Sequence, residues 1–139
     1  MLGLCFSFDR DVKRRDYWAW VAGWFSVTHA WERNRPDDFG NYLSQFQPET
    51  IRDAHELPTQ ARLVVMTAPD ADEVKGNVCL YDYVHPKNAI YYFGRDGGKM
   101  SHKELPEECD KVYVPVDSYD LYASHAASIT FYDRRLKCR

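Results

Sequence analysis

The stretch Ala89-Ile-Tyr-Tyr-Phe93, with Gly94-Arg-Asp-Gly-Gly-Lys-Met100 behind it, decides how this chain reads. Ala89 to Phe93 is a short apolar run without polar alternation, the pattern of a strand buried on both faces. Glycines placed directly after a strand permit positive φ and let a ligand approach the backbone closely. Taken alone, such a run reads as a simple turn. It matches neither a P-loop nor the dinucleotide fingerprint, because GK[ST] and GxGxxG are both absent. A second unit changes the reading. Lys111 to Val116 (KVYVPV) is another buried strand, followed by a loop and by a helix over Tyr119–Leu136. Between the units, Ser101-His-Lys-Glu104 forms a capping box that opens a short helix. Two strand-loop-helix units in succession place two loops at the carboxyl ends of neighbouring strands, where α/β sheets bind small ligands.

Outward from this core, strands and helical pieces alternate. Leu2 to Phe8 reads as a buried strand, Asp9 to Arg15 as a loop or first helical turn, and Asp16 to Trp24 as a short helix capped by Asp16. Phe25 to Trp31 alternates and is β-rich, Glu32 to Pro48 is mostly loop, and Glu49 to Leu57 is a candidate helix. Arg62 to Thr67 is a buried strand, and Val78 to Val84 a short apolar piece leading to His85-Pro86. This alternation predicts one α/β domain over residues 1–139, with a mostly parallel sheet flanked by helices. No repeat, low-complexity tract or domain linker interrupts it.

Composition narrows the function classes. A chain of 139 residues with 45% hydrophobic and 28% charged residues is an ordinary globular domain, long enough to bury a core. The formal net charge of −3 argues against indiscriminate polyanion binding, although it permits local basic patches. Lys13-Arg14-Arg15 is one such patch; Arg134, Arg135, Lys137 and Arg139 form another. Each reads either as a solvated helix end or tail, or as a contact for nucleic acid. Cys5, Cys79, Cys109 and Cys138 have no zinc-ligand spacing, and the scattered histidines give no metal site. The cysteine usage points to a reducing compartment. No apolar run spans a bilayer, and the N-terminus has no signal-peptide pattern, so a cytoplasmic protein is expected.

Aromatic content is 15%, and Tyr17, Trp18, Trp20 and Trp24 concentrate on the first helix. They read as a bulky core face, as a stacking platform for unpaired bases beside the basic patch, or as a hot spot for a protein partner. On the last helix Ala123, Ala126, Ala127 and Thr130 form a small-residue side that serves either tight packing on the sheet or a subunit interface.

The two units, in this order, resemble the last two conserved motifs of the SpoU/TrmH branch of the SPOUT RNA methyltransferases. That family's first loop typically reads Gly-x-Glu-x-x-Gly-Leu-Ser, where this chain has Gly94 to Ser101. Its second reads Ile-Pro, a short loop, then Ser-Leu-Asn and a helix. Here that stretch is Val114-Pro115, then Asp117 to Tyr119, then Asp120-Leu121-Tyr122. The His85 to Ala89 lead-in and the closing Phe131 to Arg135 are also similar. The resemblance implies a C-terminal trefoil knot, a homodimer, and S-adenosylmethionine held largely by main-chain groups. It puts the cofactor at Phe93, Gly94, Gly97, Gly98, Val114, Pro115 and Leu121. The partner it implies is tRNA or rRNA, methylated on a ribose 2′-hydroxyl.

Several positions depart from the family pattern. Its first-motif Asn and Arg fall, without gaps, at Arg14 and Trp20; its loop Glu becomes Asp96; its last Ser and Asn become Asp120 and Tyr122. Hydroxyl methylation needs an oriented hydroxyl and a route for its proton. The candidate catalytic set is therefore Arg14, Arg15, Arg95, Asp96 and Asp120, and the candidate RNA contacts are Lys13, Arg14, Arg15 and Trp18. A second reading is a catalytically degraded relative that binds RNA or a protein. A basic, aromatic groove running into the two loops favours the enzyme.

Overall fold

A computed structural model of the chain describes residues 1–36, 47–67, 78–94, 102–117 and 121–138. In chain order its elements are β1 (Leu2–Ser7), α1 (Val12–Trp24), β2 (His29–Arg33), β3 (Glu49–Ile51), β4 (Arg62–Thr67), β5 (Val78–Cys79), β6 (Ala89–Phe93), β7 (Asp110–Tyr113) and α2 (Ala123–Lys137). The seven strands form one sheet in the order β3-β2-β1-β6-β4-β7-β5, and every neighbouring pair is parallel. β6, the run with no alternation, lies between β1 and β4, and all five of its residues are buried. Tyr91 and Phe93 face one side of the sheet with Leu4, Phe6, Val64 and Met66; Ile90 and Tyr92 face the other with Cys5, Leu63 and Val65.

Both α-helices cover the first of these faces. α1 buries Trp18, Val21 and Ala22, and α2 buries Ala127 and Phe131, at the three- and four-residue spacing of one helical stripe. Ala123 and Ala126 pack half-buried on the same core. The small-residue side of α2 thus meets its own sheet and is not the free surface a subunit interface needs. On the opposite face, a Cβ on Gly3 would lie 2.9 Å from both Ile90 Cγ1 and Trp31 Cζ3. Glycine there lets the Trp31 ring lie across β1.

Several elements differ from the bounds that the sequence predicts. Helix α1 begins four residues before Asp16, and Asp11 is its cap, accepting from Lys13 N–H at 2.9 Å. The charged first turn is helical because its cations can face outward while Arg15 turns in. β2 runs over His29–Arg33 and not Phe25–Trp31, since the chain first turns through Ser26 at φ 53°. Glu32 and Arg33, expected in a loop, are buried strand residues. Residues 49–57 are an edge strand and a 3-10 turn (Ala54–Glu56) capped by Asp53, and not an α-helix. The last strand stops at Tyr113, before Pro115, which has no N–H for a ladder bond, and α2 starts at Ala123 and not Tyr119.

No helix among the described residues is long and apolar enough to cross a membrane, and they contain no cluster of potential metal ligands.

Candidate functional site at the carboxyl edge of the sheet

Parallel register sets every carboxyl end on one edge. Phe93 pairs with Met66, and Thr67 pairs with Tyr113, so β6, β4 and β7 end side by side. The chain leaves β6 at Gly94 and β7 at Val114, on either side of β4. Beyond β1, Phe8 N–H donates to Arg33 O at 2.9 Å, which carries the first loop to the same edge. This is the placement in which open parallel sheets bind ligands.

The sequence-predicted residues sort into three groups. Gly94 is half-buried, Val114 buried, Pro115 exposed and Leu121 half-buried against the core. These four lie at or beside the loop exits. The Phe93 side chain, by contrast, is directed into the core, 5.6 Å from the Trp18 ring and 6.2 Å from Phe131, so only its backbone is available at the edge. Arg95, Asp96, Gly97, Gly98 and Asp120 lie outside the described residues.

The basic patch divides. Lys13 is exposed. Arg14 is half-buried, its Nη1 lies 3.4 Å from Asp9 Oδ2, and its guanidinium sits 4.9 Å from the centre of the Tyr122 ring. This contact joins the first turn of α1 to Tyr122, the residue before α2. Tyr122 is 48% exposed and packs edge-on with His125, ring centres 5.4 Å apart. Arg15 is fully buried, with its guanidinium 4.9 Å from the Phe8 ring and 3.9 Å from the equally buried Glu32 carboxylate. Arg35 approaches the same carboxylate oxygen at 3.6 Å. Arg15 therefore has no surface to offer RNA, and its part at this edge is structural. Trp18 is likewise not a stacking platform: it is 5% exposed and stacks on Phe6 with ring centres 4.8 Å apart.

Sequence alone does not single out Asp9, Glu32 or Arg35 at this edge. Glu32 and Arg35 fall in a polar stretch that reads as loop, and nothing in their spacing marks an ion pair with a helix. Tyr122 was seen only as a departure from the family pattern. Its role as a π surface under Arg14 depends on a tertiary contact.

The amino edge carries its own polar clusters, which are internally satisfied. His85 Nε2 lies 2.7 Å from Asp133 Oδ2 and Nδ1 lies 2.6 Å from the Tyr91 hydroxyl. Since the carboxylate only accepts, Nε2–H donates to Asp133 and the Tyr91 hydroxyl donates to Nδ1. Arg134 Nη1 donates to the Tyr91 oxygen at 3.0 Å and Lys137 pairs with Asp133 at 3.0 Å. Burial pushes Tyr91 up to about 12, against the pull of Arg134. Arg62 and the Tyr83 hydroxyl both donate to Asp110; these bonds outweigh its burial and hold its carboxyl below the usual range. A cleft of about 350 Å³ at this edge is lined by Leu2, Phe25, Phe131, Arg134, Arg135 and Cys138. It lies at the opposite end of the strands from Gly94 and Val114, and Arg134 already donates to Pro86 O and Lys87 O.

The His85 chain makes stability depend on pH. Burial lowers the His85 pKa despite the Asp133 bond, so the neutral ring is the folded form. A lowered folded pKa gives stability that is fully present above the unfolded value of about 6.5 and lost as pH falls through the folded value. The urea midpoint is expected to fall on acidification below about pH 6.5, and His85→Gln to flatten that slope. A wild-type midpoint constant across that range would contradict the assignment.

No family model matches this chain, and no curated protein matches it either. Solved structures do. A protein from Porphyromonas gingivalis, assigned to the TrmH family of RNA methyltransferases, matches with TM-score 0.73 and 20% identity, over 96% of this chain and 59% of its own. The SpoU methyltransferase AviRb from Streptomyces viridochromogenes matches with TM-score 0.74 and 15% identity, over 100% and 61%. An RNA 2′-O ribose methyltransferase matches with TM-score 0.75 and 14% identity, over 99% and 56%. This chain spans less than two thirds of the length of these three structures. Its parallel sheet flanked by helices is the fold of these three structures.

Proposed function

We propose that this chain is an S-adenosylmethionine-dependent RNA methyltransferase acting on a ribose 2′-hydroxyl of tRNA or rRNA. The observation that carries the reading is the convergence at one sheet edge of the Gly94 exit, the Val114–Pro115 exit and the Arg14 guanidinium over Tyr122. The residues present fit the cofactor. Gly94, Val114, Pro115 and half-buried Leu121 offer main chain and apolar surface with no charged side chain among them, which suits an adenosyl group. Main-chain groups of Gly94, Val114 and Pro115 would hold it, with Gly97 and Gly98 in the same first loop. When bound, it supplies an electrophilic methyl group.

The rest falls to this chain's own side chains. Arg14 orients the acceptor nucleotide through its phosphate or hydroxyl, and Lys13 adds positive charge beside it. Asp96 and Asp120, in the two loops, are the candidates to take the hydroxyl proton, and Arg95 is the second candidate cation. The reading places the protein in the cytoplasm, with the α2 end of the chain threaded as a trefoil knot.

Purified protein is expected to transfer labelled methyl from S-adenosylmethionine to the ribose of bulk tRNA or rRNA. Arg14→Ala should lower the rate at least about tenfold, since a charged hydrogen bond contributes roughly 1.5–3 kcal/mol. Absence of transfer to both RNA classes would leave the second reading, a binding module. Trp20, at the position of the family's Arg, favours that alternative, because it is 51% exposed on the outer side of α1.

The homodimer is retained in this proposal with a different surface. Tyr17, Trp20 and Trp24 on α1 and Ile129, Tyr132 and Leu136 on α2 are exposed, and the two helices are neighbours, with Arg135 Nη2 donating to Trp24 O at 3.4 Å. Such an apolar face suits a two-fold interface. Light scattering at micromolar concentration is expected to give a dimer mass, and Trp24→Glu with Tyr132→Glu a monomer. A monomeric wild type would refute the assembly.

A further inference from the structure

Resting on the RNA partner of the proposed function, we infer that Arg10 and Lys13 form a contact for the phosphodiester backbone at the carboxyl edge of the sheet. The placement comes first. β1 is the parallel neighbour of β6, with Cys5 opposite Tyr92, so the turn that leaves β1 stands beside the chain leaving β6 at Gly94. That turn is held at both ends: Phe8 N–H donates to Arg33 O at 2.9 Å, and Asp11 caps α1. Between them Asp9 Oδ1 accepts the Asp11 N–H at 2.8 Å, a side-chain turn that closes around Arg10 and fixes its backbone. Arg10 is exposed in the middle of this turn, and Lys13, three residues on, is exposed on the first turn of α1.

The run Asp9-Arg-Asp-Val-Lys-Arg-Arg15 sets two acids among four cations. The fold does not pair them as neighbours. The Asp9 carboxylate holds the Asp11 N–H with one oxygen and faces Arg14 with the other at 3.4 Å. Asp11 Oδ1 accepts the Lys13 N–H at 2.9 Å. Arg14 lies against Asp9 and the Tyr122 ring, and Arg15 is buried beside Glu32. Among the described residues, the Arg10 and Lys13 side chains enter no ion pair or hydrogen bond. Helix stability does not explain Lys13, because a cation in the first turn opposes the helix dipole and α1 has no acid there. Two unpaired cations beside the Gly94 exit suit a polyanion. Arginine offers a phosphate its planar fork and lysine a point charge, and such contacts set the register of a nucleic acid without reading its sequence. The formal net charge of −3 confines RNA binding to a local patch of this kind.

Fluorescence anisotropy with polyuridine over a salt series, with methyl transfer to bulk tRNA and rRNA measured on the same proteins, tests the assignment. Arg10→Gln and Lys13→Gln are each expected to weaken polyuridine binding about three- to tenfold at low salt. Each should also make the slope of log affinity against log salt shallower by about 0.7, the value for one phosphate of a single strand. Lys87→Gln, which removes an exposed cation at the amino edge, should change neither. The losses should be equal on polydeoxyuridine, because the phosphate is common to both polymers. The urea midpoint should not fall in either variant, since both side chains are exposed. Wild-type affinity and slope in Arg10→Gln, equal losses in Lys87→Gln, or a loss confined to RNA would overturn the inference, while methyl transfer by the wild type would still uphold the enzyme reading. Binding whose salt slope becomes shallower in both variants, with no methyl transfer by the wild type, would uphold the phosphate contact and overturn the enzyme reading. A wild type that neither binds RNA nor transfers methyl would overturn both.

Discussion

Replacing Glu32 by Gln is expected to lower the unfolding free energy by about 3–5 kcal/mol, as a broken buried ion pair does. Glu32 is fully buried on β2 and faces the guanidinium groups of Arg15 at 3.9 Å and Arg35 at 3.6 Å. Gln keeps the size and an acceptor oxygen, so the substitution isolates the charge. Arg15, also fully buried, would lose the charge of the carboxylate beside it. A loss of this size is a large part of the roughly 5–15 kcal/mol that holds a small domain folded. Urea unfolding followed by tryptophan fluorescence reads it directly. A loss below about 1 kcal/mol for Glu32→Gln would show that the pair does not anchor α1. The anchor matters for function because Arg14 is the next residue along the same turn.

Trp18→Ala is expected to cost about 3–5 kcal/mol, the range for deleting a large buried aromatic side chain. Its ring stacks on Phe6 at 4.8 Å and meets Phe93 at 5.6 Å, which ties α1 to β1 and β6 at once. Trp20 and Trp24, 51% and 60% exposed, should behave differently. Their alanine variants are expected to change stability by under about 1 kcal/mol and to act on assembly instead. Equal losses at all three positions would mean that the helix is buried all round. Unchanged stability in Trp18→Ala would return it to the list of candidate RNA contacts.

The strands of the middle of the sheet were legible because they are buried on both faces and carry little but apolar residues. Arg62–Thr67 and Ala89–Phe93 have the boundaries their composition predicts. β2 was misplaced for the opposite reason. Its last two residues, Glu32 and Arg33, are charged, and partners distant in sequence face them in the strand: Arg15 for the first and Glu104 at 3.1 Å for the second. The same limit governs the site. The two loop exits were visible as strand ends, whereas the division of Lys13-Arg14-Arg15 into an exposed, a half-buried and a fully buried cation was not. That division depends on which side of α1 faces the sheet, and the helix starts at Val12, in a turn whose charges hide it.

Calorimetric titration of the purified protein with S-adenosylmethionine and S-adenosylhomocysteine tests the central claim most directly, because it asks about the carboxyl-edge loops without needing the right RNA. The expected result is saturable binding of both compounds that Leu121→Asp, placing a charge at the apolar side of that edge, weakens strongly. Absence of binding by either compound at millimolar concentration would contradict the methyltransferase account while leaving the parallel sheet and its helices as described.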